Sequence, residues 1–440
     1  MDTPSLYEIF LKNPKICIDN RQAEYNSIFF AIKGNNFDGN NFAEDALKKC
    51  NFAIVDNPDI VKDDRYILVD DALKTLQSLA KYHRKRLGLP IIAITGTNGK
   101  TTTKELVVKI MSKKYKVAYT KGNLNNHIGV PLTLLTFKKE DEFGIIEMGA
   151  NHINEIAELC TISAPDFGLI TNVGKAHLAG FGSFEGVIKA KSELYQYLYN
   201  NDGIAFINYD NEYLEDMKPP HNVVYYGTKG FTHCQGSLES NDMFFSVKWL
   251  TSDDDDEQHD SLDTTENRII KTNLFGNYNF ENVLAAICIG NYFHIPDLDI
   301  KEAIESYHPT NNRSQVVKTK NNKVIMDSYN ANPTSMQTAI NNFGEYNANN
   351  KVLILGDMFE LGKASTREHG VVLSQIQNYN FEQVILVGDI FNNYKEKEDI
   401  LFFINTNELI DFIKKNPIKN KLILIKGSNG MKLDTILEHL

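Results

Sequence analysis

The feature that most constrains this chain is a glycine-rich segment, TGTNGKTTTK at residues 95–104, directly after the apolar run Ile91–Ile94. A buried strand that leads into a glycine-rich turn and a helix points backbone N–H groups at an anion. Lys100 supplies a point charge for the β/γ-phosphates of a nucleotide, and Thr101 a hydroxyl group for Mg²⁺. The predicted nucleotide-binding residues are Gly96, Thr97, Asn98, Gly99, Lys100, Thr101 and Thr102.

The spacing of this loop differs from the general phosphate-loop pattern, which has a glycine where this chain has Ile94. We interpret the loop as a shortened variant. The alternative is an ordinary strand, turn and helix in which the glycines only reverse the chain. We favour a nucleotide triphosphate site because Gly, Lys and Thr all stand where that chemistry needs them.

Length and charge limit the classes of protein to which the chain can belong. Its 440 residues are too many for one core and predict two or three domains. A net charge of −11 argues against a surface for nucleic acid or for an anionic membrane. An anionic small-molecule substrate stays possible, because a local basic pocket need not show in the total charge.

The cysteines and the N-terminus indicate the compartment. The five cysteines are scattered without a CxxC pair, as is typical of reduced thiols in a cytosolic protein. The first residues carry Asp2, Glu8 and Asp19, which argues against a signal peptide. No apolar run approaches the ~20 residues that span a membrane. We expect a soluble cytoplasmic protein with no membrane insertion.

Apolar and polar patterns predict an α/β fold in three domains. Residues 1–88 form a small α/β domain with strands at 27–32, 52–55 and 66–69, a loop at 34–39 and helices at 42–49 and 72–87. Residues 89–308 alternate strands (91–94, 143–146, 167–170, 204–207) with helices, which predicts a parallel sheet covered on both faces. Residues 309–440 restart the pattern (324–326, 352–355, 384–387, 422–425) as a second doubly wound domain. The acidic run 251–268 reads as a solvated surface insertion rather than a calcium loop.

Three further side chains have a chemical and a structural interpretation. Glu147 ends an apolar strand, where it would hold Mg²⁺ beside the phosphate loop or be a solvated strand tip. His177 is a metal ligand or an ordinary loop histidine. Lys191 lies on a predicted helix, and its spacing alone does not distinguish it from a solvated lysine. These alternatives stay open on the residues alone.

Seven motifs together closely resemble the Mur ligase family over nearly the whole chain. They are TGTNGKTTTK, NLNNHIGVPLT (123–133), EMGANH (147–152), TNVGKAHLAGFGS (171–183), GNYNFENVLAA (276–286), DSYNANPTSM (327–336) and LGDMFELG (355–362). The resemblance implies a UDP-substrate-binding domain at 1–88, an ATP-binding domain at 89–308 and a C-terminal ligand-binding domain at 309–440. Residues 19–39 are similar to that family's UDP-binding segment.

The resemblance also implies roles for individual residues, position by position. It implies catalytic roles for Lys100, Glu147, His177, Lys191 and Arg313. Two Mg²⁺ ions are expected on Thr101, Glu147, His177 and Lys191, with Lys191 carbamylated so that it presents oxygen ligands. Asn279 and Asn282 match a pair near the adenine, Arg313 an arginine on the ATP phosphates, and Asp327 and Asn330 the ribose side. The residues expected to contact the UDP substrate are Asn20, Arg21, Asn125 and Asn126.

Some positions depart from the family pattern. Tyr278 stands where histidine is more common, and Ser192 replaces a glycine after the lysine. Met326 precedes Asp327 where a second aspartate is common. Asn429 replaces an arginine near the C-terminus, which removes a positive charge there, and Asn20 replaces a serine.

The implied reaction is ATP-driven amide formation by a monomer. Its substrates would be UDP-muramoyl-tripeptide, whose terminal carboxylate is first phosphorylated, and D-alanyl-D-alanine. One alternative is a sister ligase that adds another amino acid, or glutamate to folate. Others are a nucleotide-hydrolysing switch or motor and a UDP-sugar binding module. The NNHIGVPLT and YNANP segments favour the dipeptide ligase.

Overall fold

The computed structural model describes residues 1–34, 36–217, 221–230, 232–251, 268–395 and 399–440. Within these ranges the chain forms three α/β units, as the sequence predicts, each built around its own sheet. The acidic run 251–268 lies outside the described residues except for its two end positions. No helix in the described ranges is long and apolar enough to cross a bilayer.

The N-terminal unit is a four-stranded parallel sheet in the order β1-β2-β5-β6 with a small hairpin, β3-β4. Its strands are β1 (Lys15–Cys17), β2 (Ser27–Phe30), β3 (Lys33–Gly34), β4 (Phe37–Asp38), β5 (Phe52–Val55) and β6 (Tyr66–Leu68). Its helices are α1 (Thr3–Lys12), α2 (Ala43–Ala46) and α3 (Ala72–Leu87). The prediction for α3 is confirmed, because Asp71 caps its start and Gly88 ends it at φ +68°.

Three local predictions in this unit were wrong. The strand expected at 27–32 ends at Phe30, and the segment expected as a loop contains the β3-β4 hairpin. The helix expected at 42–49 is a 3-10 turn, Gly39–Phe42, followed by one turn of α-helix. Gly39 lies against the backbone of Ala31 and Ile32, 2.6 Å from where a Cβ would be. This close packing folds the chain back into the hairpin.

The central unit is a nine-stranded sheet in the order β15-β14-β13-β12-β11-β10-β7-β9-β8. Its strands are β7 (Ile91–Thr95), β8 (Val117–Tyr119), β9 (Phe143–Glu147), β10 (Phe167–Ile170), β11 (Ile204–Asn208), β12 (Val223–Gly227), β13 (Cys234–Asn241), β14 (Phe244–Thr251) and β15 (Ile269–Phe275). Its helices are α4 (Lys100–Met111), α5 (Gly129–Leu134), α6 (Glu155–Ser163), α7 (Leu178–Phe181), α8 (Phe184–Asn200), α9 (Glu212–Asp216), α10 (Phe280–Tyr292) and α11 (Asp297–Glu305).

The strands predicted for the central sheet, β7, β9, β10 and β11, run parallel as expected, and further strands with antiparallel pairing extend the sheet at one edge. β8 to β13 run parallel, whereas β13-β14 and β14-β15 are antiparallel. Along β7, Ile91 and Ala93 face one core, and Ile92 and Ile94 the other, so helices cover both faces. β7 lies between β9 and β10. Their carboxyl ends therefore bring the phosphate loop, Glu147 and the 171–174 loop to one edge, where open α/β sheets bind ligands.

The C-terminal unit is a six-stranded sheet in the order β16-β17-β21-β18-β19-β20, parallel except for edge strand β16. Its strands are β16 (Gln315–Lys318), β17 (Lys323–Asp327), β18 (Lys351–Gly356), β19 (Gln383–Val387), β20 (Ile400–Phe403) and β21 (Leu422–Lys426). Its helices are α12 (Pro333–Glu345), α13 (Ser365–Ile376), α14 (Asp389–Asn392) and α15 (Thr406–Lys415). A separate apolar core lies against each face of the sheet, as expected for a doubly wound domain.

Candidate active site

The phosphate loop needs glycine at two positions. Gly96 and Gly99 have φ values of +141° and +80°. A Cβ atom at Gly96 would lie 2.0 Å from the Thr171 hydroxyl, and one at Gly99 would lie 2.3 Å from the Asn282 side chain. Both the backbone conformation and the close packing therefore exclude a larger residue. The interpretation in which the glycines only turn the chain does not account for these contacts.

The loop that follows β10 holds the phosphate loop in place. The backbone N–H groups of Thr97 and Asn98 donate to the carbonyl and side-chain oxygens of Asn172, at 2.9 and 3.0 Å. The Thr171 hydroxyl donates to the Asn98 carbonyl at 2.6 Å. These bonds fix the loop before any ligand is present.

Lys100 folds back over the loop. Its Nζ donates to the carbonyls of Gly96 at 2.8 Å and Thr97 at 3.0 Å. Burial lowers the pKa of Lys100 to about 8, with the charge of Arg313 acting in the same direction and that of Glu147 opposing it. A phosphate placed here would restore the usual pKa, so the site favours an anion beside this ammonium group.

Glu147 is a buried carboxylate at the end of β9. Its Oε2 accepts from the Thr101 hydroxyl at 2.9 Å and lies 3.4 Å from Lys104 Nζ, and its Oε1 accepts from Asn125 at 2.8 Å. Burial raises the pKa of Glu147, but the charges of Lys104, Lys100 and Arg313 together lower it below the usual range. The Glu147 carboxylate is thus ionised. Together with the Thr101 hydroxyl it forms a pair of oxygen ligands that suits Mg²⁺.

The second pair of predicted metal ligands comes from the residue before α7 and from a position two turns into α8. Lys191 on α8 is buried, 5.7 Å above the Phe181 ring, and burial together with the charge of Lys100 lowers its pKa to about 7. His177 precedes α7 at φ +48°, and its Nδ1 lies against the Glu360 carboxylate of the C-terminal unit. Among the described residues, His, Cys, Asp and Glu do not cluster in threes. The candidate ligands instead combine hydroxyl, carboxylate, imidazole and lysine.

Asn279 and Asn282 form a buried chain next to the phosphate loop. Asn282 Nδ2 donates to Asn279 Oδ1 at 3.0 Å, and its Oδ1 accepts from the Thr103 hydroxyl at 3.1 Å. Tyr278 bonds the Ser314 hydroxyl at 2.6 Å. The predicted pair is therefore brought together with α4 through the Thr103 hydroxyl.

The C-terminal unit supplies the remaining predicted residues. Asp327 Oδ2 accepts from Lys426 Nζ at 2.6 Å, and its Oδ1 accepts from the Ser314 backbone at 3.2 Å. The Arg313 guanidinium stacks on the Tyr329 ring at 3.7 Å. The side-chain oxygen of Asn330 accepts a hydrogen bond from the backbone N–H of Ala331. The sequence analysis did not identify Lys426 as the partner of Asp327, although its place at the end of an apolar strand is a signal that could have indicated it.

The YNANP segment lies directly on the phosphate loop. Asn332 Nδ2 donates to Asn98 Oδ1 at 2.8 Å, and the Lys175 backbone donates to the Thr334 hydroxyl at 3.0 Å. Asn332 also caps α12 with its side-chain oxygen. The contact between the two units was not predictable from spacing, because it joins residues far apart in the chain.

The predicted UDP-substrate residues are not brought together. Asn20 donates to Asp45 at 2.7 Å, and Arg21 pairs with neighbouring Asp19 while staying largely exposed. The side-chain oxygen of Asn126 accepts from the backbone N–H of Gly129 at the start of α5. The Asn125 side chain donates to the Glu147 carboxylate. Asn125 thus lies at the candidate magnesium site in this structure, and its substrate role stays a prediction.

Comparison with known proteins identifies the family. Residues 94–290 match the family model of the Mur ligase middle domain, and residues 312–429 match that of the Mur ligase, glutamate ligase domain. The chain is 33% identical over 442 residues to the UDP-N-acetylmuramoyl-tripeptide–D-alanyl-D-alanine ligase of Bacillus subtilis, covering 97% of this chain and 92% of that one. It is 30% identical to the Escherichia coli protein of the same name, covering 97% and 93%.

Solved structures agree with this relationship. The fold matches the crystal structure of MurF from Acinetobacter baumannii with a TM-score of 0.85 at 28% identity, covering 96% of this chain and 92% of that one. A folylpolyglutamate synthase from Thermotoga maritima shares the fold with a TM-score of 0.60. Because the similarity to its relatives extends along nearly the whole chain and includes both family domains, the chain belongs to the Mur ligase family.

Proposed function

We propose that this protein is an ATP-dependent ligase that joins D-alanyl-D-alanine to UDP-N-acetylmuramoyl-tripeptide, a step of peptidoglycan precursor synthesis. The observation that carries the proposal is the junction of the phosphate loop with the C-terminal YNANP segment through Asn98 and Asn332. A hydrolytic switch gives no reason for such a junction. Relatives that carry this activity in their names align along nearly the whole chain.

The first step activates the terminal carboxylate of UDP-muramoyl-tripeptide. Its oxygen attacks the γ-phosphorus of ATP, the bond from phosphorus to the ADP oxygen breaks, and an acyl phosphate forms. Lys100 and Arg313 would bind the phosphate oxygens and offset their charge, and the loop backbone would orient them. Such activation is needed because a carboxylate is a poor electrophile at neutral pH.

The second step forms the amide. The neutral amine of D-alanyl-D-alanine attacks the acyl carbon, and the tetrahedral intermediate loses a proton and then inorganic phosphate. Positioning of the two reactants contributes most of the acceleration at this step. Packing of the C-terminal unit against the loop would keep out water that hydrolyses the acyl phosphate.

We assign two magnesium positions to the ligand pairs described above. Thr101 and Glu147 would hold one ion, and His177 with carbamylated Lys191 the other. Magnesium bound there would neutralise charge on the transferring phosphoryl group. The lowered pKa of Lys191 supports the carbamate, since only the neutral amine reacts with carbon dioxide.

The other assignments extend the same proposal. The triphosphate would lie on residues 96–102 and Arg313, the adenine near Asn279 and Asn282, the ribose near Asp327 and Asn330, and the UDP substrate near Asn20, Arg21, Asn125 and Asn126. We divide the chain into substrate, ATP and C-terminal domains at residues 1–88, 89–308 and 309–440. We propose that the enzyme acts as a monomer in the cytoplasm.

The test is the dependence of ADP release on both co-substrates. The proposal expects ADP only when UDP-muramoyl-tripeptide and D-alanyl-D-alanine are both present, with the pentapeptide product identified by mass. Turnover with a single amino acid in place of the dipeptide would indicate a sister ligase. ADP release that needs neither substrate would indicate a hydrolytic switch and overturn the proposal.

A further inference from the structure

Two cysteines lie side by side in the N-terminal unit, outside the candidate active site. Cys17 ends β1 and Cys50 lies in the loop before β5, and their Sγ atoms are 3.6 Å apart. Both are buried in the smaller core of this unit, among Ala43, Ala46 and Ala53. Because the sulfurs of a disulfide are about 2.05 Å apart, a shift of roughly 1.5 Å would bring this pair to bonding distance.

The two thiols differ in acidity. The Ser27 hydroxyl lies 3.0 Å from Cys50 Sγ, so Cys50 has two polar neighbours, this hydroxyl and the Cys17 thiol. The hydrogen bond from Cys17 lowers the pKa of Cys50 to about 6 against the opposing effect of burial. The same hydrogen bond, together with burial, raises the pKa of Cys17. The pair therefore places a thiolate, the nucleophile of thiol oxidation, next to a thiol.

The position of the pair in the fold allows the sulfurs to approach each other. β1 is three residues long and lies at the edge of the sheet, where it pairs with β2. Exposed Ile18 follows Cys17, and exposed Lys48 and Lys49 precede Cys50, so the pair lies just below the surface. A small oxidant therefore has a short path to the sulfurs, and an edge strand can follow Cys17 while the central strands stay paired.

The two cysteines flank the segment that the proposed function connects with the UDP substrate. The 3-10 turn Asn20–Gln22 begins three residues after Cys17. The Asn20 side chain donates at 2.7 Å to Asp45 on α2, five residues before Cys50. A covalent bond that pulls Cys17 toward Cys50 would therefore displace this turn relative to α2.

We propose that Cys17 and Cys50 form a reversible disulfide in the presence of a peroxide, and that this bond weakens binding of the UDP substrate. The effect on the substrate rests on the proposed function, whereas formation of the disulfide does not. Disulfides in the cytosol are mostly transient and catalytic or redox-sensing, which suits a regulatory bond.

The oxidation has two steps. The Cys50 thiolate attacks one oxygen of hydrogen peroxide, the O–O bond breaks, and the released hydroxide takes up a proton to give water and a sulfenic acid on Cys50. The Cys17 sulfur then attacks the Cys50 sulfur, the S–O bond breaks, and the leaving hydroxide takes the Cys17 proton to give a second water. The peroxide is reduced and the two thiols are oxidised. A dithiol such as dithiothreitol reverses the change by thiol–disulfide exchange.

The first test maps the bond. Reduced protein is treated with hydrogen peroxide, the remaining thiols are alkylated under denaturing conditions, and the peptides are analysed by mass. We expect the peptides of Cys17 and Cys50 to be linked, and Cys160, Cys234 and Cys288 to be alkylated. Dithiothreitol should make all five cysteines alkylatable again. Absence of the linked peptide would overturn the proposal.

The second test measures the KM for UDP-muramoyl-tripeptide before and after oxidation. In wild type, oxidation should raise this KM roughly 3- to 10-fold, the value of one hydrogen bond, and leave the KM for ATP unchanged. Dithiothreitol should reverse the rise. Cys50→Ala, which removes the thiolate, should show neither the linked peptide nor the rise. Cys160→Ala, the control at another buried cysteine, should show both.

The possible failures are distinguishable. Melting temperatures check that both variants fold, and the wild-type measurements decide the proposal without them. A linked peptide with an unchanged KM would overturn the regulatory role, as would a rise in KM that persists in Cys50→Ala. A reduced wild type that makes no pentapeptide from both substrates would refute the proposed function itself, and the peptide map would still decide whether the disulfide forms.

Discussion

The N-terminal and C-terminal units both contact the central unit, but the two interfaces differ in chemistry. Helix α3 of the N-terminal unit shares one continuous apolar core with α5 and α6, with Leu76 and Leu79 fully buried. His83 donates to the Phe137 carbonyl at 2.9 Å and accepts from Tyr7, and Arg84 donates to the Ser163 carbonyl at 2.9 Å. This interface resembles the interior of a single domain.

The C-terminal unit contacts the central unit through polar groups around the candidate active site and through an aromatic cluster. Around the active site, Asn332 donates to Asn98 at 2.8 Å, Tyr278 bonds Ser314 at 2.6 Å, and the Glu360 carboxylate lies against His177. At the far end, the Phe275 ring lies 6.4 Å from the rings of Phe343 and Tyr346. The polar side can open at small cost while the aromatic side stays packed.

The contrast between the two interfaces indicates which unit moves. A shared apolar core costs several kcal/mol to separate, so we expect the N-terminal unit to stay fixed. The polar bonds around the active site can each be exchanged for bonds to water, so we expect the C-terminal unit to pivot about Phe275 and admit ATP.

The largest stability effect should come from Leu79→Ala at the N-terminal interface. Leu79 is fully buried, and its truncation leaves a cavity in the shared core. We expect the free energy of unfolding to fall by about 2–5 kcal/mol. Chemical denaturation measures this, and a loss below about 1 kcal/mol would contradict the description of this interface as a true core. Leu298→Ala, at an exposed leucine on α11, should change little.

The largest effect on activity should come from Glu147→Gln. Loss of the carboxylate should lower the rate on the order of 10²-fold and raise the Mg²⁺ requirement. Because the change leaves the buried Lys104 ammonium unpaired, stability should fall too. The double variant Glu147→Gln/Lys104→Met should regain stability but not activity. An unchanged magnesium titration would mean that Glu147 has only a structural role. Glu212→Gln, at an exposed position on α9, is the control.

Lys191→Ala should lose most activity and regain part of it with short carboxylates, which replace the carbamate oxygens. In wild type stripped of carbon dioxide, activity should return when it is added back. With the pKa of Lys191 near 7, the neutral amine increases as pH rises, so at fixed dissolved carbon dioxide recovery should be faster at about pH 8 than at about pH 6. Full activity of the alanine variant would remove Lys191 from the mechanism.

A smaller effect is expected for Asn332→Ser at the polar interface. Serine still caps α12 but is too short to reach Asn98, so stability should change by less than about 1 kcal/mol. The KM for ATP should rise roughly 3- to 10-fold, the value of one neutral hydrogen bond. Asn405→Ser, which alters the cap of α15, should leave the KM unchanged. Equal KM values in both variants would show that the loop contact is irrelevant.

The smallest effect concerns pH and the N-terminal interface. Burial lowers the pKa of His83, so the unfolded chain binds more protons below its ordinary pKa of about 6.5. The stability that this neutral histidine contributes is therefore complete above that pH and declines as pH falls below it. His83→Gln should flatten the decline between about pH 6.5 and 5.5, whereas exposed His308→Gln should not. Parallel curves for both would exclude His83 as the cause.

Sequence patterns predicted the parts of the fold that depend on local structure. Helix α3 and strands β5 and β10 have the predicted bounds, because caps and apolar periodicity act within a few residues. The hairpins of β13 to β15 were missed, since their alternation was hidden beside the acidic run. The small hairpin after β2 was missed because its cause, the packing of Gly39, is tertiary.

The candidate site also has a part that the sequence predicted and a part that it did not. The phosphate loop and Glu147 converge because neighbouring parallel strands end at one edge, a consequence that follows from strand order. The roles of Asn125, Lys104 and Asn332 depend on contacts between segments far apart in the chain, which spacing does not encode.

The most direct test of the ligase account follows oxygen through the reaction. UDP-muramoyl-tripeptide labelled with ¹⁸O in its terminal carboxylate is incubated with ATP and D-alanyl-D-alanine, and the phosphate and peptide products are analysed by mass. An acyl phosphate transfers one labelled oxygen to inorganic phosphate as the amide forms, and we predict this result. Unlabelled phosphate would mean that water attacks the nucleotide, and the account would be contradicted.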